Sequence, residues 1–334
     1  MHRHALLLAL ALVPLSAVSA ELLVGNKAAD TVWRLSLDDG RKLGEFATGR
    51  GPHEIAVGAD GRTAVVTEYG AQQPGNTLRV VGPDPDAAPR TVDLGRHGRP
   101  HGAQFVPARS DRVVVTTEAA GSVLVVDVAK GAIERAIDIG PGVGHMVAIA
   151  ADGRTAYVAK IAAGSVVKLD LAEGRKLDEK PTGAGAEGIA VRPGDGEVWV
   201  TNREAGTVTV HDPATLAIRH TLPSEGFPIR VAFTPDGAQA LVTNAKAGTL
   251  SVFDAKAKTR IATVALADPK AEYRPTLLGQ AALPIGVIVD PARPRAYVAI
   301  AGGDEIAVVD RTTWTVVARW TTGREPDALG IARP

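Results

Sequence analysis

Seven repeats of nearly constant length, an aspartate recurring in phase with them and two incomplete chain ends that complete one another specify an all-β protein. The architecture they predict is a seven-bladed β-propeller with four antiparallel strands per blade, its ring closed by the N- and C-terminal strands in one blade. Composition agrees: the chain of 334 residues carries 36 Gly, 22 Pro and 45% apolar residues with abundant Val and Thr, a mixture suited to many short strands and turns.

The chain starts with a segment to set apart. His2, Arg3 and His4 give a basic start, Ala5 to Val13 form an apolar run too short to span a bilayer, and Val18-Ser19-Ala20 supply the small residues of a cleavage site. Residues 1–20 therefore read as a signal peptide cleaved before Glu21, which predicts a periplasmic protein with no membrane span, residues 21–334 forming one propeller.

Each repeat opens with a turn followed by an apolar strand and an Asp-Gly or equivalent turn, as in Gly51-Pro52-His53-Glu54-Ile55-Ala56-Val57 with Asp60-Gly61. The anchor residues His53, His101, His145, Glu187, Ile229, Ile285 and Asp327 lie 48, 44, 42, 42, 56 and 42 residues apart. An alternating second strand follows, such as Glu197 to Asn202, then a third, Thr207 to Asp212, then a fourth ending near Gly or Pro. Aspartates Asp127, Asp170, Asp212, Asp254 and Asp310, spaced by 43, 42, 42 and 56 residues, repeat the period independently of the anchors. The last repeat stops after Ile331, and Leu22 to Asn26 is a strand of the second type, so one end supplies what the other lacks and no sheet edge is left open.

Tyr157-Val158-Ala159-Lys160, Trp199-Val200-Thr201-Asn202 and Leu241-Val242-Thr243-Asn244 make the chain resemble the YVTN-repeat, YncE-like seven-bladed propellers over essentially its whole mature length. Trp-Asp dipeptides of the WD40 type are absent. The resemblance implies a secreted or periplasmic propeller, with some relatives binding proteins and others linked to quinoprotein or metal systems. The wider seven-bladed set includes lactonases and a metal-dependent lyase, so fold carries over and activity does not.

Composition removes several functions. Without Cys there is no disulfide scaffold, thiolate metal site, c-type haem attachment or cysteine nucleophile. The 37 basic residues balance the 37 acidic ones, and few aromatics are present to stack on bases, which argues against nucleic acid as a partner. No phosphate-loop Gly-Lys-Ser/Thr, Gly-x-Ser-x-Gly or His-Glu-x-x-His occurs, and Gly183 to Gly188 fits a dinucleotide fingerprint only by its turn glycines.

Topology places the anchors on an inner ring at one mouth of the channel, and Asn26, Glu68, Glu118, Lys160, Asn202, Asn244 and Ile300 on an outer ring of the same rim. Three consecutive anchors are histidines and the next is Glu187. His53, His101, His145 and Glu187 make a ligand set suited to Zn, Cu, Fe or Mn, with Glu68 and Glu118 as outer carboxylates. The alternative is that Pro-His is a variant of the repeat whose rings bond to neighbouring backbone or channel water. Two longer connections, Leu266 to Leu283 with Tyr273 and Arg274, and Glu68 to Thr77 with Tyr69, Gln72 and Gln73, fall on this rim and either roof the mouth or reflect loop drift. Arg230, Asp327, Lys160, Asn202, Asn244, Tyr273 and Arg274 complete a predicted ligand rim, although Arg230 could instead pair with Glu187 or a loop acid. The functional expectation is an exported propeller that binds a metal, a small ligand or a periplasmic protein at this mouth. The alternative is a metal-dependent lactonase or lyase in which Glu68, Glu118 or Glu187 acts as base.

Overall fold

The computed structural model describes residues 20–82 and 87–333, so the predicted leader falls outside the described residues except for Ala20. Seven four-stranded antiparallel sheets form the ring, six of them in simple sequence order from the channel outward. Their innermost strands are Pro52–Val57, Pro100–Phe105, Gly144–Ile149, Ala186–Val191, Pro228–Phe233 and Pro284–Val289, which define blades 1 to 6. In blade 7 the innermost strand is Pro326–Ala332, and it pairs with Glu21–Asn26 in antiparallel register, Leu23 opposite Gly330. The two ends of the chain thus hydrogen-bond the ring shut. Among the described residues no helix is long and apolar enough to cross a membrane.

The core lies in the seams between blades. Val65, Leu78 and Val80 of blade 1 pack with Val113, Val115, Leu124 and Val126 of blade 2, and equivalent clusters recur round the ring, with Trp199 and Phe253 meeting between blades 4 and 5. Second and third strands are buried on both sides and read as near-continuous apolar runs, while the outermost strands are largely exposed.

The in-phase aspartates are turn-formers. Asp170 accepts from the backbone N–H groups of Ala172 and Glu173, Asp212 from Ala214 and Thr215, and Asp254 from Lys256 and Ala257, each closing the turn from third to fourth strand. The Thr of the second strand has a different task. Thr116 Oγ1 accepts from Gly102 N at 2.9 Å and donates to His145 O at 2.6 Å, joining two blades, and Thr201 and Thr243 make the same pair of bonds two and three blades further on. In blades 1, 2, 4 and 5 this hydroxyl fills a bulge in the inner strand, where register slips between Pro52 and Ile55, between Pro100 and Ala103, and at each equivalent place through blade 6, Ala159 and Ala299 standing at the position in blades 3 and 6.

Candidate functional site

Each of the seven anchors is the second residue of an inner strand, so His53, His101, His145, Glu187, Ile229, Ile285 and Asp327 encircle one mouth of the channel. The bulge comes immediately after the anchor and disturbs strict alternation. Glu54 and Arg230, each one residue past an anchor, consequently meet each other from blades 1 and 5, with Arg230 Nη2 donating to Glu54 Oε1 at 2.5 Å.

The three imidazoles form a row of rings in contact, tilted by 45° between His53 and His101 and by 37° between His101 and His145. The His101 ring centroid lies 4.0 Å from that of His53 and 3.7 Å from that of His145, and Tyr69 stands edge-on to His53 and His101 at 5.1 and 5.6 Å. Close approach of the blades makes the row possible. A Cβ on Gly102 would lie 2.7 Å from His145 O and 2.8 Å from the Cα of Met146, so only glycine fits between the strands. Ile229 and Ile285, on the far side of the ring, pack with Leu283, Phe227 and Leu278, giving the mouth an apolar half opposite its histidine half.

The three histidines differ in what they touch. His145 donates through both nitrogens, to Glu118 Oε1 at 2.6 Å and Glu187 Oε1 at 2.9 Å. Burial opposes its charge, but Glu187 and Glu118 outweigh burial and raise its pKa to about 9, making it an imidazolium at neutral pH. Burial likewise works against Glu187, yet His145, Arg230 and Arg203 hold that carboxyl at about 2. His101 is 1% exposed, and neither of its ring nitrogens has a hydrogen-bond partner. His53 places Nε2 3.1 Å from Lys27 Nζ, while its Nδ1 is unpartnered, 3.5 Å from Asp327 Oδ2. Burial first, then neighbouring positive charge, pushes His53 and His101 well below the ordinary histidine range, so both are neutral imidazoles with lone pairs to offer. Charge is balanced around them, since Lys27, Arg203, Arg230 and the His145 imidazolium face Glu54, Glu118, Glu187 and Asp327.

Glu118 reaches the row because it stands one residue beyond the strand. Thr117, not Glu118, pairs with Pro100, and from the following loop Glu118 accepts from His145 and from the Tyr69 hydroxyl at 2.6 Å. The remaining residues of the expected outer ring turn away from the channel. Glu68 accepts from Gly49 N and Arg79; Lys160 bonds to Ile139 O and Glu179; Asn202 bonds to Thr182, Thr207 and Thr209; Asn244 bonds to Ser224, Thr249 and Ser251. Each of these side chains is buried and ties down the loop that enters its own blade. Glu68 therefore does not meet a histidine, and Lys160, Asn202 and Asn244 do not line the mouth, which corrects the expectation that second-strand ends share the rim. Arg230 pairs with Glu187 as one expectation had it, Oε1 lying 3.6 Å away, but its nearer partner is Glu54, an inner-strand acid of blade 1 rather than a loop acid.

The longer connection after blade 5 carries a small hairpin, Pro275–Thr276 with Gly279–Gln280. Here Tyr273 bonds to Asp268, Arg274 pairs with Asp304 at 2.6 Å, and Leu278 packs on the apolar half of the mouth. Tyr273 and Arg274 are thus engaged within their own neighbourhood rather than with the histidines. Glu54, Lys27 and Arg203 were not singled out by sequence, and the Pro-His-Glu run beside a bulge was the available signal for Glu54.

Fold and site define a β-propeller that gathers titratable side chains from several blades at one mouth of its channel. The chain belongs to the Cytochrome D1 heme domain family, whose model matches residues 108–330, more than half its length. Among solved structures it is similar to Kuenenia stuttgartiensis hydrazine synthase, with a TM-score of 0.71 and 18% identity over 85% of this chain and 96% of that one. It is also similar to a functionally unknown protein from Desulfotomaculum acetoxidans DSM 771, with a TM-score of 0.77 and 16% identity over 94% and 99% of the two chains. At such identities the likeness is one of fold. No curated protein matches.

The family name implies haem, and the histidine mouth does not fit it. An axial imidazole must present a nitrogen to an open porphyrin face. His101 is sandwiched between two rings beneath Tyr69, His145 has both nitrogens bonded to carboxylates, and His53 directs Nε2 at Lys27. None of the three has a nitrogen facing open space, whereas the unpartnered nitrogens suit something the size of an ion or a water.

Proposed function

We propose that the chain is an exported, periplasmic binding propeller whose histidine-bearing mouth holds a transition-metal cation, beside which a small ligand or protein partner docks. The observation that carries this reading is His101, an imidazole buried to 1% exposure with both nitrogens unsatisfied. Buried polar atoms are rarely left without partners, and neutral imidazoles are ligands for borderline-soft cations. His53, Glu54 and His101 bring donor atoms within 4.8 Å of one another, as do His101, Glu118 and His145, so the two groups overlap at His101. Export is supported by the basic, apolar and small-residue sequence of residues 1–20. The Tyr-Val-Ala-Lys, Trp-Val-Thr-Asn and Leu-Val-Thr-Asn segments support placing it near the YVTN-repeat propellers within this reading.

A metal-dependent hydrolase or lyase is the weaker reading, because it needs an unengaged base. Glu68 is committed to its blade, Glu187 is held at about 2 by its partners, and Glu118 is bonded to both Tyr69 and His145. The test is element-resolved metal analysis of the full chain purified from metal-replete cells, alongside His101→Ala. About one equivalent of a transition metal, lost in the variant, is expected; metal-free wild-type protein refutes the reading.

A further inference from the structure

We propose that the cation is held by His53, His101 and Glu54, and that His145 and Glu187, although they continue the same ring of anchors, stay outside the coordination shell. This inference rests on the metal-binding reading above and narrows it to a ligand set of two imidazoles and one carboxylate.

The donor atoms of His53, Glu54 and His101 lie within 4.8 Å of one another, as do those of His101, Glu118 and His145. The two groups differ in what their atoms already do. In the second, Glu118 and His145 are bonded to each other at 2.6 Å, Glu118 is held from its other oxygen by Tyr69, and His145 is held from its other nitrogen by Glu187. Arg203 anchors Glu187 in turn, at 2.8 Å. To ligate through either nitrogen, His145 would have to give up a charge-assisted bond in a buried setting and strip Glu118 Oε1 or Glu187 Oε1 of that donor. In the first group the one interaction to give up is the 3.1 Å contact of His53 Nε2 with Lys27 Nζ, because Nδ1 can ligate only in the tautomer that carries its proton on Nε2. His101 has two unpartnered nitrogens, His53 has Nδ1, and Glu54 meets Arg230 through Oε1, which leaves Oε2 for an ion. The bulge after Pro52 places His53 and Glu54 side by side at the mouth, and the unpartnered Asp327 Oδ1 stands beside His53 as an acceptor for a metal-bound water.

Ligand atoms about 2.0–2.2 Å from a common ion stand roughly 3.4 Å apart in tetrahedral geometry, so modest side-chain rotations close the site. Two neutral imidazoles and a carboxylate with a position left open suit Zn(II), Co(II) or Cu(II) rather than Mg(II) or Ca(II), which take oxygen ligands. The His145 ring then works as a wall: it packs against His101 at 3.7 Å between centroids and supplies no donor.

The test uses the full mature chain stripped with chelator and titrated with Co(II) and Zn(II). Wild-type protein should take up one Co(II) with visible d–d absorption. His53→Ala and His101→Ala should abolish stoichiometric binding, while His145→Gln and Glu187→Gln, which act only through the packing of His101, should weaken it by no more than about 100-fold. A loss in His145→Gln as large as in His101→Ala overturns the ligand set. Wild-type protein that binds neither ion overturns the metal reading itself, so the two failures are distinguishable. Because a variant can misfold, the Cu(II)-loaded wild type gives a second count by pulsed electron paramagnetic resonance: two coordinated imidazoles are expected, and three would refute the assignment.

Discussion

Arg230→Met in metal-free protein isolates an ion pair that staples opposite sides of the ring. The Arg230 side chain is 9% exposed, donates to Glu54 Oε1 at 2.5 Å and lies 3.6 Å from Glu187 Oε1, while the Glu54 side chain is 15% exposed. These values place the pair among buried rather than surface ion pairs, which differ in consequence: breaking a surface pair costs about 0–1 kcal/mol, but removing one member of a buried pair costs about 3–5 kcal/mol because the other charge is stranded. Methionine keeps the aliphatic stem, so nearly all the loss is electrostatic. At roughly 2 °C per kcal/mol for a chain of this size, the melting temperature should fall by about 6–10 °C. Adding Glu54→Gln removes the stranded charge, and the double variant should recover to within about 1–2 kcal/mol of wild type, a coupling that a double-mutant cycle reads directly from urea midpoints. A loss below about 1 kcal/mol in Arg230→Met, or additive effects in the cycle, would mean that water screens the pair and the channel mouth is wet at this depth.

Three further outcomes follow from the same geometry. Thr116→Val keeps the side chain's shape but leaves Gly102 N and His145 O without their hydroxyl partner, and should cost about 2 kcal/mol by denaturant unfolding; an unchanged midpoint would show that the inter-blade tie is dispensable. Gly102→Ala pushes a methyl to within 2.8 Å of two backbone atoms of blade 3 and should cost about 1–3 kcal/mol, with lower metal affinity if the His101 row is displaced. Glu179 supplies the pH dependence: burial raises its pKa, but bonds from Lys176, Ser165 and Lys160 outweigh burial and hold it at about 2 against an ordinary 4.5. Its folded-state pKa is depressed, so its contribution to stability is present above pH 4.5 and is lost as pH falls toward 2. Wild-type melting temperatures should therefore decline through that window more steeply than those of Glu179→Gln, and parallel curves would count against the assignment.

The ring was legible because every blade repeats the same physical solution. An anchor, a turn aspartate and an apolar second and third strand recur at one period, and the terminal fragments are complementary, so counting alone fixes seven blades and the closing pair Glu21–Asn26 with Pro326–Ala332. The row His53, His101, His145 was legible for the same reason, since equivalent positions in a closed array converge on one mouth. What escaped the period is what departs from it. The bulge behind each anchor breaks the two-residue alternation, which is why Glu54 and Arg230 join the mouth although their places in an ideal strand would send them elsewhere. Glu118 slipped by one residue in the opposite sense: its in-register neighbour Thr117 faces the blade and the glutamate swings from the loop onto His145. Glu68, Lys160, Asn202 and Asn244 kept register and for that reason ended inside their blades, latching the incoming loops. Function at this mouth therefore depends on irregularities laid over a regular frame, with the repeat bringing three imidazoles together and the bulge and a single-residue offset deciding which of them keep free lone pairs.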